Sequence, residues 1–235
     1  MKTIGLIGGM SWESSAEYYR LLNELVRERL GGLHSARCVL YSVDFAEIER
    51  LQVRGEWERA GDVLAGAAKG VEAAGADLVL ICTNTMHKVA DQVQDAVSVP
   101  LLHLGDATAE AVRRAGITRV GLLGTAFTME QEFYRDRLAA HGLDVLVPDE
   151  AGRGLVHRVI YQELCLGVVR EESRAAYQEV IRSLIDRGAQ GVILGCTEIE
   201  LLIGQEHSPV PVFPTTRLHA EAAVDVALAL TDFSG

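Results

Sequence analysis

The sequence predicts an α/β fold made of two similar lobes, each containing a parallel β-sheet. Short apolar runs alternate with helix-like segments along the whole chain, which is typical of parallel strands joined by right-handed crossovers. The pattern then begins again, because RVGLLG at 119–124 matches TIGLIG at 3–8 and VPVF at 210–213 matches VPLL at 99–102. Of the 235 residues, 49% are hydrophobic and only 6% are aromatic, which suits small apolar helices packed on a buried sheet.

The first half of the chain contains four predicted strands and four predicted helices. Ser11 is the expected N-cap of the first helix, and Gly31 and Gly32 end it. The strands are Thr3–Gly8, Arg37–Asp44, Leu78–Ile81 and Pro100–Leu104. The helices are Ser11–Leu30, Glu56–Ala74, Thr85–Val97 and Asp106–Ala115.

The second half repeats this order. Its strands are Arg119–Gly124, Leu143–Val147, Gly191–Leu194 and Val210–Phe213. Its helices are Thr128–His141, Gly154–Cys165, Glu171–Arg187 and Thr216–Leu230. We expect a first lobe over residues 1–104, a second lobe over 105–216, and a terminal helix, 217–235, that returns to the first lobe. A single long sheet is the alternative.

Charge and composition exclude several classes of protein. The net charge of −11 argues against nucleic-acid binding, which requires a basic face. No run of 18 apolar residues and no signal peptide is present, so we expect no membrane partner and a cytoplasmic location. The four cysteines lack zinc-ligand spacing, and no metal site is expected.

Two segments 114 residues apart each place a cysteine just after an apolar strand. AGADLVLICTNT ends with Cys82, Thr83, Asn84 and Thr85, and RGAQGVILGCTE ends at Cys196, Thr197 and Glu198. The carboxyl ends of parallel strands are where α/β folds bind ligands. A helix beginning at each cysteine would lower the thiol pKa. The pair therefore predicts one site with a sulfur on each side, the arrangement that moves a proton from one face of a carbon to the other.

Two glycine turns are expected to present backbone N–H groups to an anion. The first is Gly8-Gly9, which is followed by Met10 and Ser11. The second is VGLLGT at 120–125, which adds the hydroxyls of Thr125 and Thr128. The first turn lacks dinucleotide-binding spacing, and Asp44 is poorly placed to bind a ribose.

The remaining cysteines and histidines are less informative. Cys38 and Cys165 are expected to be packing residues. His87, His103 and His219 lie near predicted strand ends without metal-ligand spacing, and they are interpreted as structural or solvated residues.

Longer motifs carry a resemblance that covers nearly the whole chain. GLIGGMSWES, CTNTMHKVAD, GLLGTAFTMEQEFYRDRL, YQELCLG and GCTEIELL are similar to segments of the aspartate/glutamate racemase family, and closest to its enterobacterial broad-specificity branch. The resemblance implies two lobes related by pseudo-twofold symmetry with the active site between them, a homodimer, and no pyridoxal phosphate or other cofactor. It also implies that Cys82 and Cys196 are the paired acid/base catalysts of an amino-acid racemase, an isomerase.

The resemblance extends to the substrate site. Substrate-binding residues are expected to be Met10, Ser11, Gln52, Thr83, Asn84, Thr85, Thr125, Thr128, Thr197 and Glu198. Aspartate-specific members have a lysine after the ELCLG segment, where this chain has Val168, and many relatives have Asp at the position of Pro214. The first difference favours a broad or non-acidic substrate range.

Four other functions remain open. They are an aspartate/glutamate-specific racemase, a cysteine-dependent isomerase or decarboxylase of the same superfamily, a small-molecule-binding protein without activity, and a nucleotide-dependent oxidoreductase. A decarboxylase needs only one thiol, so the second CT motif counts against it.

Overall fold

The computed structural model of the protein describes residues 1–229, and residues 230–235 lie outside the described part. The chain forms two compact units. The first consists of Met1–Leu104 and the chain from His219 onward, and the second is Gly105–Leu218. No described helix has both the length and the apolar character needed to cross a membrane.

The first unit is built on a three-stranded parallel sheet with the order β2-β1-β3. The strands are β1 (Ile4–Gly8), β2 (Cys38–Ser42) and β3 (Leu78–Ile81), and the helices are α1 (Trp12–Leu30), α2 (Phe45–Val53), α3 (Trp57–Ala73) and α4 (Ala90–Asp95). A 3-10 turn, Thr85–Val89, follows β3. Leu101 adds one parallel bridge to Val79 on the side of β3 away from β1.

The second unit is built on a four-stranded parallel sheet with the order β5-β4-β6-β7. The strands are β4 (Arg119–Gly124), β5 (Asp144–Leu146), β6 (Val192–Gly195) and β7 (Val212–Pro214). The helices are α5 (Leu104–Arg114), α6 (Ala126–Glu130), α7 (Glu132–Ala140), α8 (Glu150–Gln162) and α9 (Glu171–Asp186). A further helix, α10 (Thr215–Ala227), begins in the second unit and belongs to the first unit from His219 onward. A 3-10 turn, Thr197–Leu201, follows β6.

The two sheets share one strand order. In each sheet the first strand lies between the second and the third. A fourth segment, the bridge residue Leu101 in the first sheet and β7 in the second, pairs with the outer side of the third strand. The α/β fold class with two parallel sheets is therefore confirmed, and the alternative of one long sheet is wrong. β3 and β6 occupy equivalent places in their sheets, and each ends directly before a cysteine.

In the first sheet, β1 and β3 are buried on both faces, whereas β2 is partly exposed. Ile4 and Leu6 of β1 pack with helix α1 and with α10 from Ala220 onward, whereas Ile7 packs with α2 and α3. This alternation follows from the two-residue period of a strand. In the second unit, β6 packs against α8, α9 and the turn after Cys196.

Several predicted elements differ in detail. The predicted strand Pro100–Leu104 is reduced to the single bridge at Leu101. The predicted helix Thr128–His141 is two helices, because Gln131 adopts an extended conformation between α6 and α7. Cys165 is exposed in the 3-10 turn Leu164–Leu166, so its prediction as a packing residue is wrong. The predicted extension of the terminal helix to residue 235 lies partly outside the described residues.

Candidate active site

Cys82 directly follows β3, and its side chain is fully buried. Its backbone N–H donates to the carbonyl oxygen of Ile7 at 2.9 Å. Its own carbonyl oxygen accepts from the hydroxyl of Ser14 at 2.9 Å. The side chain packs in the cluster that contains Leu80 and residues of α1. The backbone of Cys82 is thus held on two sides, by β1 and by the first turn of α1.

Burial raises the pKa of the Cys82 thiol, because a thiolate would lie in apolar surroundings, and charge on Cys38 acts in the same direction. The lowering of this pKa expected from the sequence is therefore wrong. The helical segment after Cys82 is a short 3-10 turn rather than a long helix, so its end contributes little dipole. Burial therefore favours the protonated thiol form of Cys82.

The residues after Cys82 form a compact turn. Asn84 and Thr85 are buried, and Thr83 is partly buried. The carbonyl oxygen of Thr83 accepts from Nδ1 of His87 at 2.8 Å. Gln52 is buried in α2, and its side-chain amide donates to Sδ of Met86 at 3.1 Å. The structure therefore places Gln52 next to the turn that follows Cys82.

The Gly8-Gly9 turn is organised by serines of α1. The N–H of Gly9 donates to Oγ of Ser15 at 2.7 Å, so this group is already satisfied and does not point to a ligand. Ser11 caps α1 by accepting from the N–H of Ser14 at 3.2 Å, and the Met10–Ser11 peptide bond is cis. Met10 is buried in the cluster with Ile48. The expectation that Gly9 offers its N–H to an anion is therefore wrong.

Cys196 directly follows β6 and is partly buried. Its thiol donates to Oε2 of Glu198 at 2.8 Å. Burial is the main cause that raises the pKa of Cys196 well above its usual range, and the carboxylate of Glu198 adds to the rise. A hydrogen bond from the backbone N–H of Glu198 acts in the opposite direction. Burial and the carboxylate thus favour the protonated thiol form of Cys196, and this carboxylate partner distinguishes Cys196 from Cys82.

The threonines of the second unit make local hydrogen bonds. Oγ1 of Thr197 lies 2.8 Å from Oγ1 of Thr216, and this contact joins the turn after Cys196 to the start of α10. Thr125 caps α6 by accepting from the N–H of Thr128 at 3.4 Å, and their hydroxyls lie 3.2 Å apart. Thr128 is fully buried. The N–H of Ala126 donates to Nδ1 of His157 at 3.2 Å, so this turn has fewer open amides than expected.

Two other expectations concern groups that bind cofactors. Among residues 1–229, no group of three or more His, Cys, Asp and Glu side chains is arranged to hold a metal ion. Asp44, the residue examined for ribose binding, caps α2 by accepting from the N–H of Ala46 at 3.1 Å. Its carboxylate therefore stabilises the start of α2.

Sequence reasoning missed three residues that shape these turns. Ser14 and Ser15 hold the Cys82 carbonyl oxygen and the Gly9 N–H, and His157 holds the N–H of Ala126. The two serines had a local signal, since they follow the capping Ser11 by three and four residues and so lie over it on the helix. His157 had no local signal in the sequence, because it contacts Ala126 from a distant helix. That helix, α8, begins at Glu150, which is 24 residues after Ala126.

The fold agrees with comparisons to known proteins. The sequence model of the Asp/Glu/hydantoin racemase family matches residues 7–223. The chain belongs to this racemase family, which supports its assignment to the isomerases.

Solved structures and a characterised relative extend this result. A crystal structure of a candidate Asp/Glu racemase from Yersinia pestis is 55% identical, covers 97% of this chain and 100% of its own, and superposes with a TM-score of 0.93. An aspartate racemase homologue from Pyrococcus horikoshii is 36% identical over 97% of this chain and 100% of its own, with a TM-score of 0.87. The broad specificity amino-acid racemase RacX of Bacillus subtilis is 24% identical over 71% of each chain.

Proposed function

We propose that this protein is a cofactor-independent amino-acid racemase in which Cys82 and Cys196 act on opposite faces of the substrate α-carbon. One observation carries the proposal. Each thiol directly follows the strand that occupies the same place in one of two sheets of identical order, in a chain of the Asp/Glu/hydantoin racemase family. A duplicated scaffold that preserves a thiol in both copies is expected when the reaction uses two equivalent groups.

The reaction consists of two proton transfers. One sulfur, as thiolate, takes the proton from the α-carbon, so that the Cα–H bond breaks and an S–H bond forms. The other sulfur, as thiol, delivers its proton to the opposite face. The two sulfurs exchange roles when the substrate has the other hand, so their titrations belong to the pair. No electrons are gained or lost, and pyridoxal phosphate is not needed.

The raised thiol pKa values fit this chemistry. The α-proton of an amino acid is very weakly acidic, so a base of high pKa is better matched to it. Burial of Cys82, and burial of Cys196 beside Glu198, make each sulfur a stronger base once it is ionised. The cost is a small thiolate fraction at neutral pH. Glu198 accepts from the Cys196 thiol and so favours the protonated, acid form of that residue.

The charge that develops on the substrate carboxylate requires hydrogen-bond donors. We propose that the turns after the two cysteines supply them, through Thr83, Asn84, Thr85, Thr197 and the backbone of Glu198. Each well-placed donor in a dry site is worth about 3 kcal/mol of transition-state stabilisation. Thr125, Thr128, Met10 and Ser11 are proposed to shape the same site, without the Gly9 N–H. Gln52 is proposed to contact the substrate side chain.

We further propose a broad or non-acidic substrate range. The segment Leu164–Val169 contains no cationic side chain, and Leu166, Val168 and Val169 are exposed there. A carboxylate side chain would find no positive partner on this segment. The similarity to a broad specificity racemase supports the same range. The alternative, a racemase specific for aspartate or glutamate, is supported by similarity to an aspartate racemase homologue.

Location and assembly are also proposals. A reaction that needs two reduced thiols suits the cytoplasm, where cysteines stay unpaired. All four cysteines are unpaired in the structure. The small-molecule partner is an amino acid, and a homodimer is proposed from the family resemblance alone.

The test measures solvent deuterium uptake at the α-carbon of alanine, leucine, glutamine, aspartate and glutamate, each as both enantiomers. We expect racemisation after removal of pyridoxal phosphate and metals, and loss of racemisation in both Cys82→Ala and Cys196→Ala with unchanged folding. Cys38→Ala is the matched control and should stay active, because Cys38 lies inside β2.

Several outcomes would contradict the proposal. Near-normal racemisation by either alanine variant would exclude the two-thiol mechanism, and product that keeps its original α-proton would indicate a single base. A kcat/KM for aspartate or glutamate more than about 1,000-fold above every neutral amino acid, about 4 kcal/mol, would contradict the proposed range. Carbon dioxide release from a malonate-type substrate without racemisation would favour the decarboxylase alternative.

A further inference from the structure

Three buried histidines pack against one another in the first unit, beside the turn that follows Cys82. The rings of His87 and His103 are 4.7 Å apart, and those of His87 and His219 are 5.7 Å apart. We call this set, His87, His103 and His219, the histidine cluster. The cluster is not arranged as a metal site, because His87 and His219 already use both ring nitrogens in hydrogen bonds to protein groups.

The hydrogen bonds of His87 fix its protonation. Nδ1 lies 2.8 Å from the carbonyl oxygen of Thr83, which can only accept, so Nδ1 carries the proton. Nε2 accepts from the backbone N–H of Leu104 at 3.2 Å, so Nε2 carries none. His87 is therefore neutral, and it connects the residue after Cys82 to the first residue of α5.

His219 has the opposite arrangement. Its Nε2 lies 2.8 Å from the carbonyl oxygen of Leu102 and must donate to it, while its Nδ1 lies 2.8 Å from the hydroxyl of Tyr18 and accepts from it. His219 thus also uses both ring nitrogens in buried hydrogen bonds to protein groups. None of them goes to the turn after Cys82.

We infer that His87 is a positioning residue for Cys82: its Nδ1–H holds the Thr83 carbonyl oxygen and so fixes the backbone that carries the thiol. The Cys82 carbonyl oxygen is held by Ser14 and its N–H by Ile7, and the carbonyl oxygen of the next residue, Thr83, is held by His87. A group that moves a proton to or from carbon must be placed within a fraction of an ångström, and small displacements slow such steps by about 100-fold.

The inference rests on the proposed function. It is tested by measuring α-proton exchange separately for the two enantiomers, because each enantiomer presents its α-proton to a different sulfur. Both enantiomers of the five amino acids named above are incubated in deuterium oxide. The measured quantity is the initial α-deuterium uptake into the substrate enantiomer itself, without inversion, because this exchange uses the sulfur of one face alone. Cys82→Ser first identifies the enantiomer whose exchange depends on Cys82. For that enantiomer, His87→Phe should slow uptake by about tenfold or more, with the loss in kcat rather than in KM, whereas exchange of the other enantiomer should change by less than about threefold.

The control is His219→Phe. It also removes two hydrogen bonds from the histidine cluster and keeps an aromatic ring, so its effect on thermal stability should be similar, but it should slow both enantiomers equally. His87→Asn retains an amide N–H near the position of Nδ1 and should restore part of the lost exchange. His87→Gln, whose amide lies nearer the position of Nε2, should restore less.

A spectroscopic measurement checks the geometry without activity. In the nitrogen-15 spectrum of histidine side chains at neutral pH, His87 should be a neutral Nδ1–H tautomer and His219 a neutral Nε2–H tautomer, each assigned by its loss in the phenylalanine variant. An Nε2–H or charged His87 would overturn the inference, and so would equal slowing of both enantiomers in His87→Phe. If the wild-type protein exchanges no amino acid while the tautomers are as expected, the proposed function fails and the inference falls with it.

Discussion

Replacing Glu198 with glutamine should lower the pKa of the Cys196 thiol. The thiol donates to Oε2 of Glu198 at 2.8 Å, and the negative carboxylate disfavours the thiolate. Glutamine has a similar shape without the charge, and its amide N–H can donate to a thiolate. The sign follows directly: removing a negative neighbour stabilises the anionic form, so the thiol ionises at lower pH.

The size of the effect follows from the distance. Two unit charges 2.8 Å apart interact by about 1.5 kcal/mol in bulk water and by about 6 kcal/mol at an effective dielectric constant of about 20. Because Glu198 is only partly buried, solvent screening favours the lower part of this range. A difference of about 1.4 kcal/mol changes the ratio of thiolate to thiol about tenfold, so we expect the pKa of Cys196 to fall and its thiolate fraction to rise about tenfold or more at a fixed pH below the pKa.

The assay is the rate of iodoacetamide alkylation as a function of pH, with the Cys196 peptide quantified by mass spectrometry. Only the thiolate reacts, so at a fixed pH below the pKa the rate should rise about tenfold or more in Glu198→Gln. Glu206→Gln removes one carboxylate whose side chain is 72% exposed in the same unit and should leave the rate unchanged. An unchanged or slower rate in Glu198→Gln would refute the electrostatic reasoning.

Two further predictions concern stability, both measured by urea unfolding. Ser15→Ala should cost about 1–3 kcal/mol, because it leaves the Gly9 N–H buried without its acceptor, whereas Ser→Ala at the exposed Ser35 should change little; equal effects at both sites would count against this role of Ser15. Gly9→Ala should prevent folding or cost far more than Gly31→Ala, although both have positive φ (92° and 74°). At Gly9 a Cβ would lie 2.2 Å from the carbonyl oxygen of Val43. At Gly31 it meets nothing within 4 Å, so only the backbone cost of about 1–3 kcal/mol remains.

The sequence by itself determined the fold class and the positions of the two thiols. β4 has the predicted bounds Arg119–Gly124 and β3 has the predicted bounds Leu78–Ile81. These predictions succeed because a strand buried on both faces has a local sequence signal, a short apolar run between turn residues. The internal repeat is likewise visible in the sequence, since it is a similarity between two segments and needs no coordinates.

Tertiary structure alone decided the state of the site. The Gly9 N–H was expected to meet a ligand, but it is taken by Ser15. The pKa of Cys82 was expected to fall, but burial raises it. His87 was interpreted from the sequence as a structural or solvated residue. Its hydrogen bonds to Thr83 and Leu104 join residues that are 21 positions apart in the chain, which no local pattern indicates. Hydrogen bonding and desolvation depend on which distant atoms surround a group, and a local pattern of residues does not contain that information.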